Sequence, residues 1–584
     1  MGDGTLGSRV NKTAPVAPAL FRGGRFVAEI TAGRAVVEVL KAEGVRHIFG
    51  IVGSTVLDVL DALYDDRTVQ YINVRHEQGA AFMADGLARA TGLPGTCLVT
   101  SGAGATNLLT GIAAAYVACS PVVAIAGGPP LSHVGKDAFQ EFDLIGMFRP
   151  VTKLAISVNR PERIPEILGH ALRAARAGRP GPVFIEIPSD VLNGNALETA
   201  RAPAPAAPAH RPQPHPEAVR LAVDWLVRAE RPLVIAGGGV VLAGASELVA
   251  ELGTRYGVPA VTAYGRNDAV PNDCPCYVGP LGRAGSDEAV DACRRADLLL
   301  VVGSRLGQFT TFYDDRYVRP GTAIVQIDIE GRDIGRHYPV VLGIQADARE
   351  TLRAMLALLD RDGAWGAAAA WRRETEALRD ARLARLEAEG ALDGIPIKPQ
   401  RVYAELRRAL PRYTIAVLDA GAAPAYGYDR LECFGPRTLL APLDLGGLGF
   451  ALPVALGAKV GRPGATVVAV HGDGGFLMNA QELETAVRHG INVLTLVLNN
   501  NCWGMEKAYQ RRFYRERYIG ADLTNPRYDR YAALFGARGY YVDHPAQIGD
   551  VVRAALRDDA PAVVEIPIDP DELGEPPTQL RGRP

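Results

Sequence analysis

The chain reads as an α/β protein built from three parallel-sheet domains in tandem. Three observations predict this. Its 584 residues are too many for one hydrophobic core. Short apolar runs ending in glycine-rich turns alternate with amphipathic helical patterns: VRHIFGIVG, TCLVTSGAG and SPVVAIAGG early, PLVIAGGG, ADLLLVVGSR and AIVQIDIE in the middle, TVVAVHGDGG and VLTLVLNNN late. Such runs have the pattern of parallel strands buried on both faces. Finally, two stretches interrupt the alternation. Residues 191–216 form a linker, crowded with Pro and Ala from 199 onward and without apolar period. Residues 361–397 form a linker helix, an Arg/Glu-rich run from Trp371 to Glu389 that reads as solvated and breaks at Gly390, Gly394 and Pro396. The predicted domains are 29–190, 217–360 and 398–570, with a flexible tail at 1–28 and a second tail at 571–584.

Composition narrows the function classes. Apolar residues make up 48% and charged residues 22%, and 63 basic side chains face 65 acidic ones for a formal charge of −2. With no basic stripe or tail, nothing asks for nucleic acid. The first 28 residues lack the apolar core of a signal peptide. The longest apolar stretch, Ile112 to Ala126, is broken by Ser120 and Pro121 and is too short for a bilayer, so no membrane partner is expected. Seven scattered cysteines fit a reducing, cytoplasmic location. Cys274-Pro-Cys276 has no second pair to complete a zinc site.

In parallel sheets the ligand sits beyond the carboxyl ends of the strands, so the loops after the apolar runs carry the chemistry. The sharpest is His471-Gly472-Asp473-Gly474-Gly475 after TVVAV, followed by Asn499-Asn500-Asn501 after VLTLVL. The 24 residues between Gly474 and Asn499 hold a helix and a return strand, which brings both loops to one sheet edge. Glycines let backbone N–H groups approach a diphosphate, and the following helix presents its N-terminus to that anion. Mg²⁺ takes oxygen ligands in an octahedron; Asp473, the Asn500 amide oxygen and the Cys502 carbonyl would be the protein's share. Either loop alone reads as an ordinary turn. The pair at this spacing reads as a diphosphate and metal site.

Gly-Asp-Gly, about two dozen residues, then Asn-Asn is the signature of thiamine-diphosphate enzymes, and the chain resembles the acetolactate (acetohydroxyacid) synthase superfamily over nearly its whole length. The resemblance implies a pyrimidine-binding domain, a central nucleotide-binding-like domain and a diphosphate-binding domain, in that order. It places Asp473, Asn500 and Cys502 on the metal-ligand positions, and Gly472, Gly474, Gly475, Trp503, Gly504 and Met505 around thiamine diphosphate. In the first domain, His76-Glu77-Gln78-Gly79-Ala80-Ala81 matches the family's activating-glutamate segment. A Glu there must exchange a proton with the aminopyrimidine near neutrality, which burial favours by raising its pKa. Asp85, a little further on, reads as a solvated helix residue.

Other loops are less sharply read. Gly53 and the Ser101–Asn107 loop end strands and either line the cavity or make tight turns; Gly53 and Asn107 are assigned to the cofactor site. Asp137-Ala138-Phe139-Gln140-Glu141 resembles the synthase segment near the reacting carbonyl, with Gln140 as a donor. Leu448 falls where the family props thiamine into its bent form. Glu506, in Trp503-Gly504-Met505-Glu506-Lys507, stands where acetolactate synthases have an aliphatic residue. It is either a surface charge on a first helical turn or a second acid–base group facing the thiazolium. Where FAD-binding synthases carry a Met-His-Gly turn, this chain has Gly282-Arg283-Ala284-Gly285-Ser286. That argues against FAD and leaves an adenine nucleotide (ADP or a coenzyme A moiety), or nothing, in the central crevice.

The activity implied is a Mg²⁺-dependent lyase or carboligase on a 2-oxo acid, aldehyde or 2-hydroxyacyl-CoA, through a C2 ylid and an enamine. Local similarities also point to 2-hydroxyacyl-CoA lyase, releasing formyl-CoA, and to sulfoacetaldehyde acetyltransferase. The contrasting class is an inactive, cofactor-binding regulatory homologue. The family's arrangement implies a homodimer or homotetramer with active sites between subunits.

Overall fold

Each apolar run folds as a strand with covered faces: Val122–Gly128 is buried at all seven positions, Leu298–Val302 at all five and Leu494–Asn499 at all six. The computed structural model describes residues 21–22, 25–26, 30–193, 210–363 and 365–576. The predicted tail 1–28 lies outside these residues except for a strand pair, Phe21–Arg22 with Arg25–Phe26. Residues 194–209 of the 191–216 linker and 577–584 of the second tail also lie outside them.

Three six-stranded parallel sheets form the protein. The first contains β1 (His47–Gly50), β2 (Gln70–Asn73), β3 (Gly95–Val99), β4 (Val122–Gly128), β5 (Leu154–Ser157) and β6 (Val183–Pro188), in the order β2-β1-β3-β4-β6-β5. The central sheet contains β7 (Pro232–Ala236), β8 (Ala260–Thr262), β9 (Tyr277–Pro280), β10 (Leu298–Val302), β11 (Ala323–Asp328) and β12 (Leu342–Gln345), in the order β9-β8-β7-β10-β11-β12. That is the doubly wound dinucleotide-fold order, with a crevice where the winding reverses between β7 and β10. The third contains β13 (Ile415–Leu418), β14 (Leu439–Leu440), β15 (Val467–Gly472), β16 (Leu494–Asn499), β17 (Arg538–Tyr541) and β18 (Ala562–Pro567), in the order β14-β13-β15-β16-β18-β17. The outer sheets therefore share one topology.

Equivalent helices of the outer domains pack on each other. Helix α1 (Glu77–Thr91) follows β2; α2 (Ala103–Ala118) follows β3; α3 (Ala369–Gly390) joins the central and third domains; and α4 (Ala451–Gly461) follows β14. Helices α1 and α4 cross so closely that a Cβ on Gly86 would lie 2.0 Å from the Val454 carbonyl oxygen, and one on Gly457 1.8 Å from that of Met83. Phe82, Met83, Phe450 and Val454 join one core spanning both domains.

Two expectations are corrected. Asp85 is not solvated: it is fully buried and takes two bonds from Arg89, at 2.9 and 2.5 Å, while Arg89 also donates to the Ala441 carbonyl across the domain boundary. A carboxylate buried at such an interface is tolerable because the bidentate partner supplies the lost hydration. Nor is α3 solvated all round. Trp371 is buried and donates to the Pro232 carbonyl at 2.8 Å, and buried Arg382 pairs with buried Asp429 at 2.8 Å. The helix braces the central domain against the third.

Gly457→Ala should destabilise the protein although alanine is the better helix former by about 1 kcal/mol. The clash with the Met83 carbonyl should cost more than that, about 1–3 kcal/mol net. Thermal melting should show a lowered midpoint for this variant and no loss for Gly464→Ala, where a Cβ meets nothing within 4 Å.

Candidate active site

Register brings the predicted loops of the third domain together. Leu418 pairs with Val470 and Gly472 with Leu498, so the loops after β13, β15 and β16 leave one edge of the sheet side by side. Asp473 opens α5 (Asp473–Asn479) and is 1% exposed. Burial pushes its carboxyl up to about 6, against a hydrogen bond from Asn525 that favours the anion. The side-chain oxygen of Asn500 points at two further oxygens, Asp473 Oδ1 and the Cys502 carbonyl, each 3.2 Å away. Turned over, the amide would donate to both. With its oxygen inward, three oxygens converge at a spacing close to the edge, about 3 Å, of an octahedron with Mg²⁺–oxygen bonds of about 2.1 Å. The donor set fits a hard divalent cation.

The motif glycines have neighbours of their own. A Cβ on Gly474 would lie 2.6 Å from the Trp503 ring, and one on Gly475 2.4 Å from Asp419 Oδ2; one on Gly472 would make only an ordinary contact with Pro424, at 3.9 Å. Close packing of Trp503 and Asp419 thus demands two of these glycines, whatever they also allow a diphosphate. Trp503 is held by its backbone N–H donating to the Ala521 carbonyl at 2.8 Å. Gly504, Met505 and Glu506 begin the next helix, α6 (Gly504–Phe513). Glu506 is exposed on its first turn, and Leu448 is half-buried in the loop before α4.

Three residues were missed by the sequence reading. Asp419, 1% exposed, accepts from the Ala420 and Phe450 amides through Oδ1, and from the Gly449 amide and His471 Nδ1 through Oδ2. It ties together the loops carrying Leu448 and Asp473; its place after the strand IAVL was the only signal. Asn525 donates to Asp473 Oδ2 at 2.7 Å and reaches Asn499 and Asn501 at 3.1 Å. Glu482, fully buried, accepts from the backbone N–H groups of Arg75 and His76 at 3.1 and 3.0 Å, across the domain boundary and just ahead of Glu77. No local pattern in the sequence marks either.

In the first domain, Glu77 opens α1, with His76 as the cap accepting from the Gln78 amide. Its Oε2 accepts from Asn107 Nδ2 of α2 at 2.9 Å. Glu77 is half-buried in the single chain. Gln140, at φ 60°, is drawn to the strand ends: its Oε1 accepts from Ser101 at 3.1 Å. Gly53 meets Thr100 so closely that a Cβ would lie 2.4 Å away. Gly53, Gln140 and the Ser101 loop therefore form one cluster, and Glu77 and Asn107 form a hydrogen-bonded pair. In the central domain a cavity of about 370 Å³ opens at the switch point, lined by Gly238, Gly303, Arg305 and Asp328.

Comparison with known proteins agrees with this layout. Residues 30–147 match the thiamine pyrophosphate enzyme N-terminal TPP binding domain, 219–355 the central domain and 419–566 the C-terminal TPP binding domain. The chain belongs to the thiamine pyrophosphate enzymes. It is 36% identical to the probable acetolactate synthase large subunit of Methanocaldococcus jannaschii over 92% of each chain. It is 35% identical to the acetolactate synthase isozyme 3 large subunit of Escherichia coli over 95% of this chain and 97% of that one, and 34% identical to the acetolactate synthase of Mycobacterium avium over 92% and 87%. Within the family it is a member of the acetolactate synthase superfamily, a thiamine-diphosphate-dependent enzyme of carbon–carbon bond chemistry. Among the described residues, no helix is long and apolar enough to cross a membrane.

Burial raises the Glu482 carboxyl to about 7, against hydrogen bonds from Thr485, Arg75 and His76. Because the unfolded chain ionises this group near 4.5, the fold loses stability as pH rises from about 4.5 to about 7, by on the order of 3 kcal/mol at most. Glu482→Gln keeps an acceptor for both amides. Its melting temperature should exceed that of the wild type at pH 8, with the gap closing below about pH 5.

Proposed function

We propose that the protein is a Mg²⁺- and thiamine-diphosphate-dependent carboligase or lyase that takes an acyl unit from a 2-oxo acid and delivers it to an acceptor carbonyl, as an acetolactate synthase does. The observation that carries the reading is the convergence of Asp473, Asn500 and the Cys502 carbonyl at the carboxyl edge of the third sheet. Those oxygens would hold the cation that neutralises the diphosphate. When bound, thiamine diphosphate supplies a nucleophilic carbon and an electron sink. The chain's own part is orientation and proton handling. Glu77 would hold a proton against the aminopyrimidine, with Asn107 fixing its carboxylate. Leu448 would support the bent cofactor, and Gln140 would face the reacting carbonyl.

The working unit in this reading is a homodimer or homotetramer whose active sites lie between subunits. Support comes from apolar side chains left in solvent around both half-sites. Phe139 is 84% exposed beside Gln140; Leu477 and Met478 are exposed on α5, beyond Asp473. A second copy covering them would also bury the half-exposed Glu77. The central crevice, with its dinucleotide-fold order, would take an adenine nucleotide, ADP or the ADP part of coenzyme A.

Asp473→Ala should abolish Mg²⁺-dependent thiamine diphosphate binding in calorimetry while the fold survives. Glu77→Gln should keep that binding and slow turnover by roughly 10²–10⁴. Wild-type affinity in the first variant would refute the site.

A second reading of the acceptor rests on Glu506, exposed at the start of α6 next to the metal loop. A carboxylate about 4 Å from that of a second pyruvate would cost on the order of 4 kcal/mol at an effective dielectric near 20, roughly a thousandfold in rate. This favours acceptors without a neighbouring free carboxylate. Wild-type enzyme assayed with pyruvate alone, with sulfoacetaldehyde plus phosphate and with 2-hydroxyacyl-CoA should be weakest with pyruvate alone, and Glu506→Ala should lower the preferred activity by about tenfold or more. Condensation of two pyruvates at ordinary synthase rates would leave the plain acetolactate synthase reading.

A further inference from the structure

A second cavity, of about 210 Å³, lies where the three domains meet, between the C-terminal ends of α1 and α2, the loop after β8 and the segment leading into β14. Four guanidinium groups and one carboxylate line it: Arg89, Arg176, Arg266, Arg437 and Asp268. Two of the cations are already matched, Arg89 by Asp85 and Arg176 by Glu43. Arg266 and Arg437 remain, with Asp268 as their shared counter-charge. Among the described residues, Arg266 donates only a long bond to the Ala118 carbonyl, 3.3 Å, and Arg437 one bond to the Arg89 carbonyl, 2.8 Å. Neither guanidinium is hydrogen-bonded to Asp268, whose buried Oδ1 has no partner; nor has the buried hydroxyl of Ser120 on the same wall. Within its lining the cavity thus holds one cation more than its anions balance, with several unused donors; Asp444, outside the lining, faces Arg305 first and Arg266 second.

An arginine cannot shed its charge, and a half-buried guanidinium without a paired carboxylate is destabilising. Burial and the like charge of Arg89 pull the Arg266 pKa down, and burial pulls that of Arg437 down. Two planar forks and a hydroxyl around one space are a donor set for a tetrahedral oxyanion. We propose that this cavity binds a small oxyanion, phosphate or a phosphate group, held between Arg266 and Arg437. It shares a wall with the central crevice through Cys119, Leu242 and Arg266, so the anion is either free phosphate or the phosphate of a nucleotide seated next door.

The test is phosphate titrated into the holoenzyme, saturated with Mg²⁺ and thiamine diphosphate so that the diphosphate site is filled, and followed by calorimetry. Saturable binding is expected, weakened about tenfold or more in Arg437→Met, the usual worth of a lost charged hydrogen bond. It should be tightened in Asp268→Asn, which keeps an acceptor for the backbone donors of Leu439 and Arg437 and removes the competing charge. A merely structural role for these residues would leave phosphate affinity unmoved. If Arg437→Met fails to fold, Asp268→Asn decides alone. Absence of saturable binding, or equal affinity in wild type and Asp268→Asn, overturns the proposal. With the site upheld, ADP that competes with phosphate identifies a nucleotide as the source, and ADP that binds alongside it identifies the free anion.

Discussion

The contact on which the rest of the molecule depends is the crossing of α1 and α4. Two glycines, Gly86 and Gly457, let each helix lie against a carbonyl of the other, Val454 and Met83, at distances no side chain permits. Glycine in a helix interior costs about 0.5–1 kcal/mol, and closely packed apolar burial of Phe82, Phe450 and their neighbours offsets it. Because α1 starts at Glu77 and α4 follows the loop carrying Leu448, one rigid crossing sets the placement of both half-sites. The shared strand order of the outer sheets makes this possible, since the two helices hold equivalent positions.

Within the third domain the same task falls to a charge. Asp419 is buried yet receives four hydrogen bonds from two loops and the end of β15. A carboxylate solvated in this way by fixed N–H groups costs little to bury and resists displacement. The loop before α4 and the turn holding Asp473 cannot move independently of it. Glu482 plays a related part at the boundary with the first domain, where it takes the Arg75 and His76 amides that would otherwise end β2 without partners. Its raised pKa is the cost of that placement, and the domain junction keeps it because the strand end ahead of Glu77 is held in return.

Charge is distributed unevenly over the domain interfaces. Arg89 with Asp85 and Arg382 with Asp429 are closed pairs with short bidentate or backbone-assisted geometry. The cavity at the three-domain junction differs, because Arg266 and Arg437 share one carboxylate that neither guanidinium hydrogen-bonds. Buried polar groups in native proteins are nearly always satisfied, which is why an open set there stands apart from the closed pairs around it.

The sequence by itself determined the alternation of buried strands and helices, the three-domain plan and the two motif segments, because these are local: apolar runs of strand length, glycine-rich strand ends and a spacing of one strand–helix–strand unit. The meeting of Asp473, Asn500 and Cys502 was legible because they lie within a few residues of strand ends that parallel pairing must bring together. Tertiary structure alone decided the rest. Asp85 and the α3 face with Trp371 and Arg382 carry polar patterns that read as solvated, and only contact with another domain buries them. Asp419, Asn525 and Glu482 act on segments 24 to 407 positions away in the chain, and no local periodicity encodes a hydrogen bond at that range. What Gly474 and Gly475 accommodate, a tryptophan ring and a buried carboxylate, likewise became visible only once distant segments were packed against them, because steric exclusion acts in space and leaves no period in the chain.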